Sequence, residues 1–321
     1  MLSSRAAASE IALGSGTQVG AGPGAVGDAV AGAPRLYLKA EHLQLTGSFK
    51  PRGATNRVAM LDDDERRRGV ITLSAGNHAQ ALAYAAAARR IPATVVMPAG
   101  ASRAKAAAAA GYGAEVVLHG RDIAETLSHM ERLRDERGLV YVPPFDDPAV
   151  IAGQGTVGLE ILEDLPAVDV IVVGVGGGGL ISGIAATVKQ SRPDARVYGV
   201  EPQGSDAVTR GLAAGRPVPV TPSSIADGLG APFAGEWTLP LVRRYVHAVL
   251  LVDEATIAAG MRFALERLKQ LLEPAGAAAL GALLAGRIPV QDGEVVCAVL
   301  SGGNVDLDRL PELLALAKAA T

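Results

Sequence analysis

The stretch Val168-Asp169-Val170-Ile171-Val172-Val173-Gly174-Val175-Gly176-Gly177-Gly178-Gly179-Leu180 governs how the rest of the chain is read. From Val170 to Val188 no charged side chain occurs over 19 positions, close to the ~18 apolar residues that can cross a bilayer. Four successive glycines would break an isolated helix in lipid. The stretch therefore reads as a buried strand, a glycine turn and a helix, and no membrane partner is expected. Such a turn lets several backbone N–H groups approach a phosphate at the positive end of a helix, whatever molecule carries that phosphate.

Outward from this unit the same alternation repeats. Strands are expected at 35–39, 70–73, 94–97, 115–118, 168–173, 196–200, 247–252 and 295–300, and helices at 48–61, 77–90, 102–110, 122–137, 150–162, 180–190, 253–271 and 306–319. The order argues for an α/β fold with two lobes of open parallel sheet, covered by helices on both faces. Val142-Pro143-Pro144-Phe145-Asp146-Asp147-Pro148 is a proline-rich crossing between two such series and reads as a junction. Residues 1–58 and 139–321 are assigned to a large domain and 59–138 to a small one. Gly14 to Pro34, rich in Gly, Ala and Val without a clear period, reads as a loop or insertion.

Composition narrows the functional classes. The chain has 321 residues, 49% of them hydrophobic and 3% aromatic, a net charge of −3 and no basic run longer than Arg66-Arg67-Arg68, so a nucleic-acid partner is not expected. Cys297 is the single cysteine and sits in an apolar run. It reads as a buried thiol, consistent with a reducing cytoplasm, and excludes an intrachain disulfide. Thirty-nine Gly and 19 Pro exceed the usual share and require a specific location.

Four segments carry chemistry. Gly174 to Gly179 satisfies a dinucleotide-type spacing, with Glu201 22 positions after Gly179, which keeps an NAD-dependent oxidoreductase open as an alternative. In Leu45-Thr46-Gly47-Ser48-Phe49-Lys50-Pro51-Arg52-Gly53-Ala54, Ser48 is an expected N-cap and Lys50 sits at a helix start, where the dipole favours its neutral, nucleophilic amine. Ser74-Ala75-Gly76-Asn77-His78-Ala79-Gln80 opens a helix and forms an anion site of carboxylate size. Ser301-Gly302-Gly303-Asn304 puts a hydroxyl and two glycines after another buried strand. A reactive lysine, a phosphate cup, an anion site and a hydroxyl turn together ask for pyridoxal phosphate acting on an amino acid.

In this order the segments resemble the fold type II pyridoxal-phosphate enzymes (the tryptophan synthase β-like fold), and within them the threonine/serine dehydratase and serine racemase family. The motifs S-F-K-x-R-G-A, S-A-G-N-H-A-Q, I-A-G-Q-G-T, G-G-G-G-L, I-A-D-G, L-E-P-x-G-A and S-G-G-N carry the resemblance from about Leu36 to Asp306. It implies that Lys50 bonds the cofactor, Phe49 packs on its ring, Asn77 meets its ring hydroxyl, Gly176, Gly177, Gly178, Gly179 and Leu180 hold its phosphate, Ser301 faces its pyridine nitrogen and Gly228 lies close by. Ser74, Ala75, Gly76, Asn77 and His78 would take the substrate carboxylate. The implied reaction is loss of water from L-threonine or L-serine to give a 2-keto acid and ammonia, with 3-hydroxyaspartate dehydration and serine racemisation as alternatives. Racemase-like members carry a serine where this chain has Ala75, which points to elimination. A Mg²⁺ or Ca²⁺ site at Glu201 is only partly supported, because Ser205 fits the pattern and Ala207 stands where an Asp is expected. The resemblance further implies a homodimer or homotetramer. The family's first helix and a regulatory domain after 306–319 are not expected here, nor is feedback inhibition through such a domain.

Overall fold

The computed structural model describes residues 33–317 and the two-residue strand Ile11–Ala12. The Gly/Ala-rich segment expected to be a loop lies, up to residue 32, outside the described residues, as do residues 318 and 319 at the end of the last expected helix.

Two sheets form. The larger has the order β1 (Ile11–Ala12), β2 (Arg35–Lys39), β10 (Val295–Val299), β7 (Val170–Gly174), β8 (Arg196–Pro202), β9 (Ala248–Val252). All its pairs are parallel except β1 with β2. The smaller is fully parallel, in the order β5 (Glu115–Leu118), β4 (Ala93–Met97), β3 (Val70–Leu73), β6 (Val140–Tyr141). β7 and β10 are buried at every residue, as expected of central strands covered on both faces. Cys297 lies in β10, and burial pushes its thiol up to about 12, leaving it an inert core group.

Glycine lets the covering helices approach one another closely. A Cβ at Gly183, in the helix Gly179–Ser191, would lie 2.6 Å from the Gly155 nitrogen in the helix Pro148–Asp164. A Cβ at Gly260, in the helix Glu254–Phe263, would lie 2.6 Å from the Ala277 carbonyl in the helix Pro274–Leu284. Part of the glycine excess is thus spent on helix crossings that a side chain would push apart. The helix Pro274–Leu284 is absent from the sequence expectation because it is buried from Pro274 through Leu283 and has no polar face to create a period.

Several boundaries differ from expectation. The helix expected over 253–271 is α-helical only over Glu254–Phe263, continues as a π-helix over Ala264–Leu268 and stops where Lys269 adopts φ 59°. The last expected helix is a 3₁₀ turn, Leu307–Arg309, followed by Leu310–Ala315. Short helices at Asp63–Arg68, Ala207–Ala214 and Thr238–Tyr245 were not foreseen. The uncharged run at 170–188 is β7, a turn and a helix, and among the described residues no helix is long and apolar enough to cross a membrane.

Candidate active site

The chemistry-bearing segments follow the carboxyl ends of β2, β3, β7 and β10, the edge at which open parallel sheets present loops to ligands. Ser48 bridges to Gly302, the Phe49 N–H donates to the Ser301 carbonyl at 3.1 Å, and the segments after β2 and β10 are thereby joined.

Lys50 is the first residue of the helix Lys50–Ala59, with Pro51 in its first turn, as its sequence demands. The cap differs from expectation: it is Phe49, with no side-chain capping bond, while the buried Ser48 hydroxyl has no protein partner. The Lys50 Nζ donates to the Pro144 carbonyl at 2.7 Å and lies 5.1 Å from the centre of the Phe49 ring. Burial lowers its pKa to about 8, against the opposing pull of Glu273. Desolvation thus favours the neutral amine, in the same direction as the helix start. Next to Pro144, the Phe145 ring covers Gly177 so closely that a Cβ there would collide with it, and it meets Phe233 edge-on at 5.8 Å. One two-residue loop segment thus connects the lysine amine to the glycine turn.

Gly178 caps the helix Gly179–Ser191 with φ +93°, a conformation a side chain would strain, and its Cβ would lie 2.9 Å from Thr238. Thr238 secures the turn: its hydroxyl donates to the Gly177 carbonyl at 2.6 Å and accepts from the Gly235 N–H at 2.9 Å. No motif in the sequence pointed to Thr238. Leu180, in the first helical turn, is buried in the core, while the N–H groups of that turn have no intrahelical acceptor and are free for an anion.

The helix Asn77–Ala87 starts after β3, capped by Gly76. A Cβ at Gly76 would meet nothing within 4 Å, so this backbone is open to approach. The Ser74 hydroxyl accepts from the Gly76 N–H at 3.2 Å. His78 is buried and its Nε2–H donates to the Val142 carbonyl at 3.0 Å, leaving Nδ1 unpartnered. Burial, then the Lys50 charge, push it down to about 3, so the ring is neutral. Any contribution of His78 to carboxylate binding falls to its backbone. Ser301 is buried, with only a long 3.4 Å contact from its hydroxyl to the Ala275 carbonyl. Gly228 is exposed and packs its Cα side on Ala275, where a Cβ would lie 2.8 Å away.

Glu201 is fully buried, one residue before the carboxyl end of β8, and its carboxylate is taken up by local partners. Its oxygens accept from the N–H groups of Val208 and Thr209 at 2.8 and 2.9 Å and from the Thr209 hydroxyl at 2.6 Å. Burial raises its pKa to about 7 despite those bonds. This removes the ribose-binding acid that the dinucleotide alternative required. It also leaves Glu201 occupied in holding the start of the helix Ala207–Ala214, and among the described residues no three His, Cys, Asp or Glu side chains gather as a metal site.

The residues fit a phosphate-bearing aldehyde. A sheltered lysine amine has no carboxylate within ion-pair distance among the described residues, a glycine-lined helix start carries no side chains of its own and is bordered by Phe145 and Thr238, and two buried hydroxyls, Ser48 and Ser301, lack a good protein partner. The family model described as pyridoxal-phosphate dependent enzyme matches residues 27–302. The chain belongs to that family. An L-threonine ammonia-lyase of Thermotoga maritima is 44% identical over 280 residues, which are 87% of this chain and 69% of the relative. Among solved structures, the processed form of threonine deaminase isoform 2 from Solanum lycopersicum superposes with a TM-score of 0.84 at 37% identity, covering 88% of this chain and 79% of that one. Maize serine racemase gives 0.82 at 38% identity, covering 88% and 87%. Pyridoxal phosphate is accordingly the cofactor of this family member, and the fold is type II.

Proposed function

We propose that this pyridoxal-phosphate enzyme is an ammonia-lyase for β-hydroxy amino acids, converting L-threonine and L-serine to a 2-keto acid and ammonia. The observation that carries this reading is the Lys50 amine, sheltered, lowered in pKa and tied through Pro144 and Phe145 to the glycine turn. When bound, the cofactor supplies an electron sink for the carbanion formed at the substrate Cα. Lys50 would hold it covalently and, once released by the substrate amine, act as general base toward the Cα–H. The helix start at Gly178 and Gly179 would bind the phosphate, and Phe49 would pack on the ring. The open backbone at Ser74 to His78 would orient the substrate carboxylate at the start of the helix Asn77–Ala87.

The Ser301 hydroxyl is a neutral partner for a ring nitrogen and does not surrender a full proton, so negative charge at Cα is better relieved by prompt loss of the β-hydroxyl. Ala75 presents a methyl group with no proton to return to the opposite face of Cα. Both features favour elimination over racemisation. In the same reading, 59–138 forms a lobe that caps the substrate, and the enzyme works in the cytoplasm as a homodimer or homotetramer, in keeping with its single, buried, reduced cysteine.

The test is an absorption spectrum of the purified protein with a keto-acid assay. A visible band bleached by borohydride and missing in Lys50→Ala, with pyruvate from L-serine and 2-ketobutyrate from L-threonine, is expected. A cofactor-loaded protein that releases keto acid from neither would overturn the reading.

A further inference from the structure

The side-chain amide of Asn77 is gripped at both ends. Its Nδ2 donates to Glu273 Oε1 at 2.6 Å, and its Oδ1 accepts from Asn304 Nδ2 at 2.8 Å. Asn304 is itself fixed, because the same Nδ2 donates to the Thr46 carbonyl at 2.7 Å. Glu273 is a buried carboxylate immediately before the helix Pro274–Leu284, close enough to Lys50 for their charges to interact. Neither Glu273 nor Asn304 received a task from residue chemistry or from the resemblance.

Turning the Asn77 amide over would set its carbonyl against the Glu273 carboxylate and its NH₂ against the Asn304 NH₂. Burial raises the Glu273 carboxyl to about 7; in its ionised form both hydrogen bonds would become contacts between like groups, and in either form the Asn304 end, already donating to the Thr46 carbonyl, would set NH₂ against NH₂. The arrangement therefore has one orientation. A primary amide carries two N–H donors, and Glu273 uses one. The other is the donor left over.

We propose that Glu273 and Asn304 are positioning residues that lock the Asn77 amide so that its second N–H, and not its carbonyl, is offered to the ring oxygen of the cofactor. The proposal rests on the assignment of Asn77 to that oxygen. It concerns cofactor binding, which is read without any amino-acid substrate, so failure of the elimination assay and failure of this proposal are separate results.

The experiment titrates pyridoxal phosphate into cofactor-free protein and records both the dissociation constant and the position of the visible band, with thermal melts to verify folding. Glu273→Ala removes the acceptor. It is expected to weaken binding about 10-fold, the consequence of roughly 1–2 kcal/mol for one lost buried hydrogen bond, and to move the band. Glu273→Gln keeps an acceptor oxygen and should stay within about threefold of the unaltered protein with an unmoved band, because orientation rather than charge is preserved. Asn304→Ala should act in the same direction as Glu273→Ala and carries the test if that variant does not fold. In an Asn77→Ala background, Glu273→Ala and Asn304→Ala should have no further effect on the band. An unmoved band and unchanged affinity in folded Glu273→Ala or Asn304→Ala would overturn the proposal. So would a Glu273→Gln protein that behaves like Glu273→Ala, or full additivity with Asn77→Ala.

Discussion

The Nζ of Lys50 and the carbonyl of Pro144 lie 2.7 Å apart although 94 positions separate them in the chain. That bond brings the loop after β6 onto the start of the helix Lys50–Ala59, and the next residue, Phe145, reaches the glycine turn after β7. A reactive amine and an anion cup drawn from separate motifs become one site through this loop.

The amine should load its cofactor faster as pH rises. A folded pKa of about 8 in place of 10.5 means that free amine, the nucleophilic form, accumulates through pH 8 and is nearly complete two units before an ordinary lysine would reach that state. The rate of pyridoxal phosphate uptake by cofactor-free protein should rise through that range and level off above it. The same shift makes the unfolded chain bind more protons than the folded one between these values, so cofactor-free protein should gain stability from this group as pH rises from about 8 to 10.5. Stopped-flow absorbance and denaturant melts across pH check the two statements.

Lys50→Ala should lower keto-acid formation by about 10²–10⁴-fold or more, the usual contribution of a positioned acid or base, because here the same amine also anchors the cofactor. Steady-state assays at saturating pyridoxal phosphate measure it.

Gly177→Ala should weaken cofactor binding by about 10-fold or more, since its methyl would collide with the Phe145 ring or drive that ring into the cup. Phe145→Ala in the same protein removes the obstacle and should restore part of the loss. Visible titration of both proteins separates this collision from a general loss of folding.

Arg52→Ala should destabilise the protein by roughly 3–5 kcal/mol, the cost of breaking a buried ion pair by removing one partner. Its guanidinium bonds both Glu41 oxygens and both Glu160 oxygens at 2.7–2.8 Å. The side chains of Arg52 and Glu41 are 9% and 3% exposed, so Glu41 would keep only the longer 3.9 Å pair with Lys39 in the interior; Glu160, at 32%, retains water and Lys39. Chemical denaturation of the holoenzyme gives the difference.

Ala75→Ser should introduce measurable D-serine formation from L-serine while keto-acid release continues, because it supplies a hydroxyl proton that the alanine lacks. Chiral chromatography of the products reports it, and the unaltered protein should give keto acid with negligible D-serine.

Local patterns in the sequence carried much of this protein. The strand-glycine-helix unit at 168–190 was readable because β-branched runs, adjacent glycines and an apolar helix each have a backbone consequence that needs no partner. Lys50 at a helix start, Asn77 opening a helix and Ser301 after a buried strand were legible on the same ground. The helix Pro274–Leu284 was not, because burial on every side erases the periodicity by which a helix is recognised. Nor was the cap before Lys50: Ser48 has the right chemistry, but pairing with Gly302 takes its backbone out of the capping position.

What the sequence determined alone is therefore the kind of group offered at each strand end: an amine, a glycine turn, a helix start, a hydroxyl. Direction and protonation were decided by the tertiary structure. Glu201, at a ribose-acid spacing, turns to Val208 and Thr209, while Glu273 and Asn304, from opposite sides, fix which way Asn77 points. The physical reason is range. Backbone propensity acts over a few residues, whereas desolvation of Lys50 and the orientation of an amide depend on whatever the fold brings within about 3 Å.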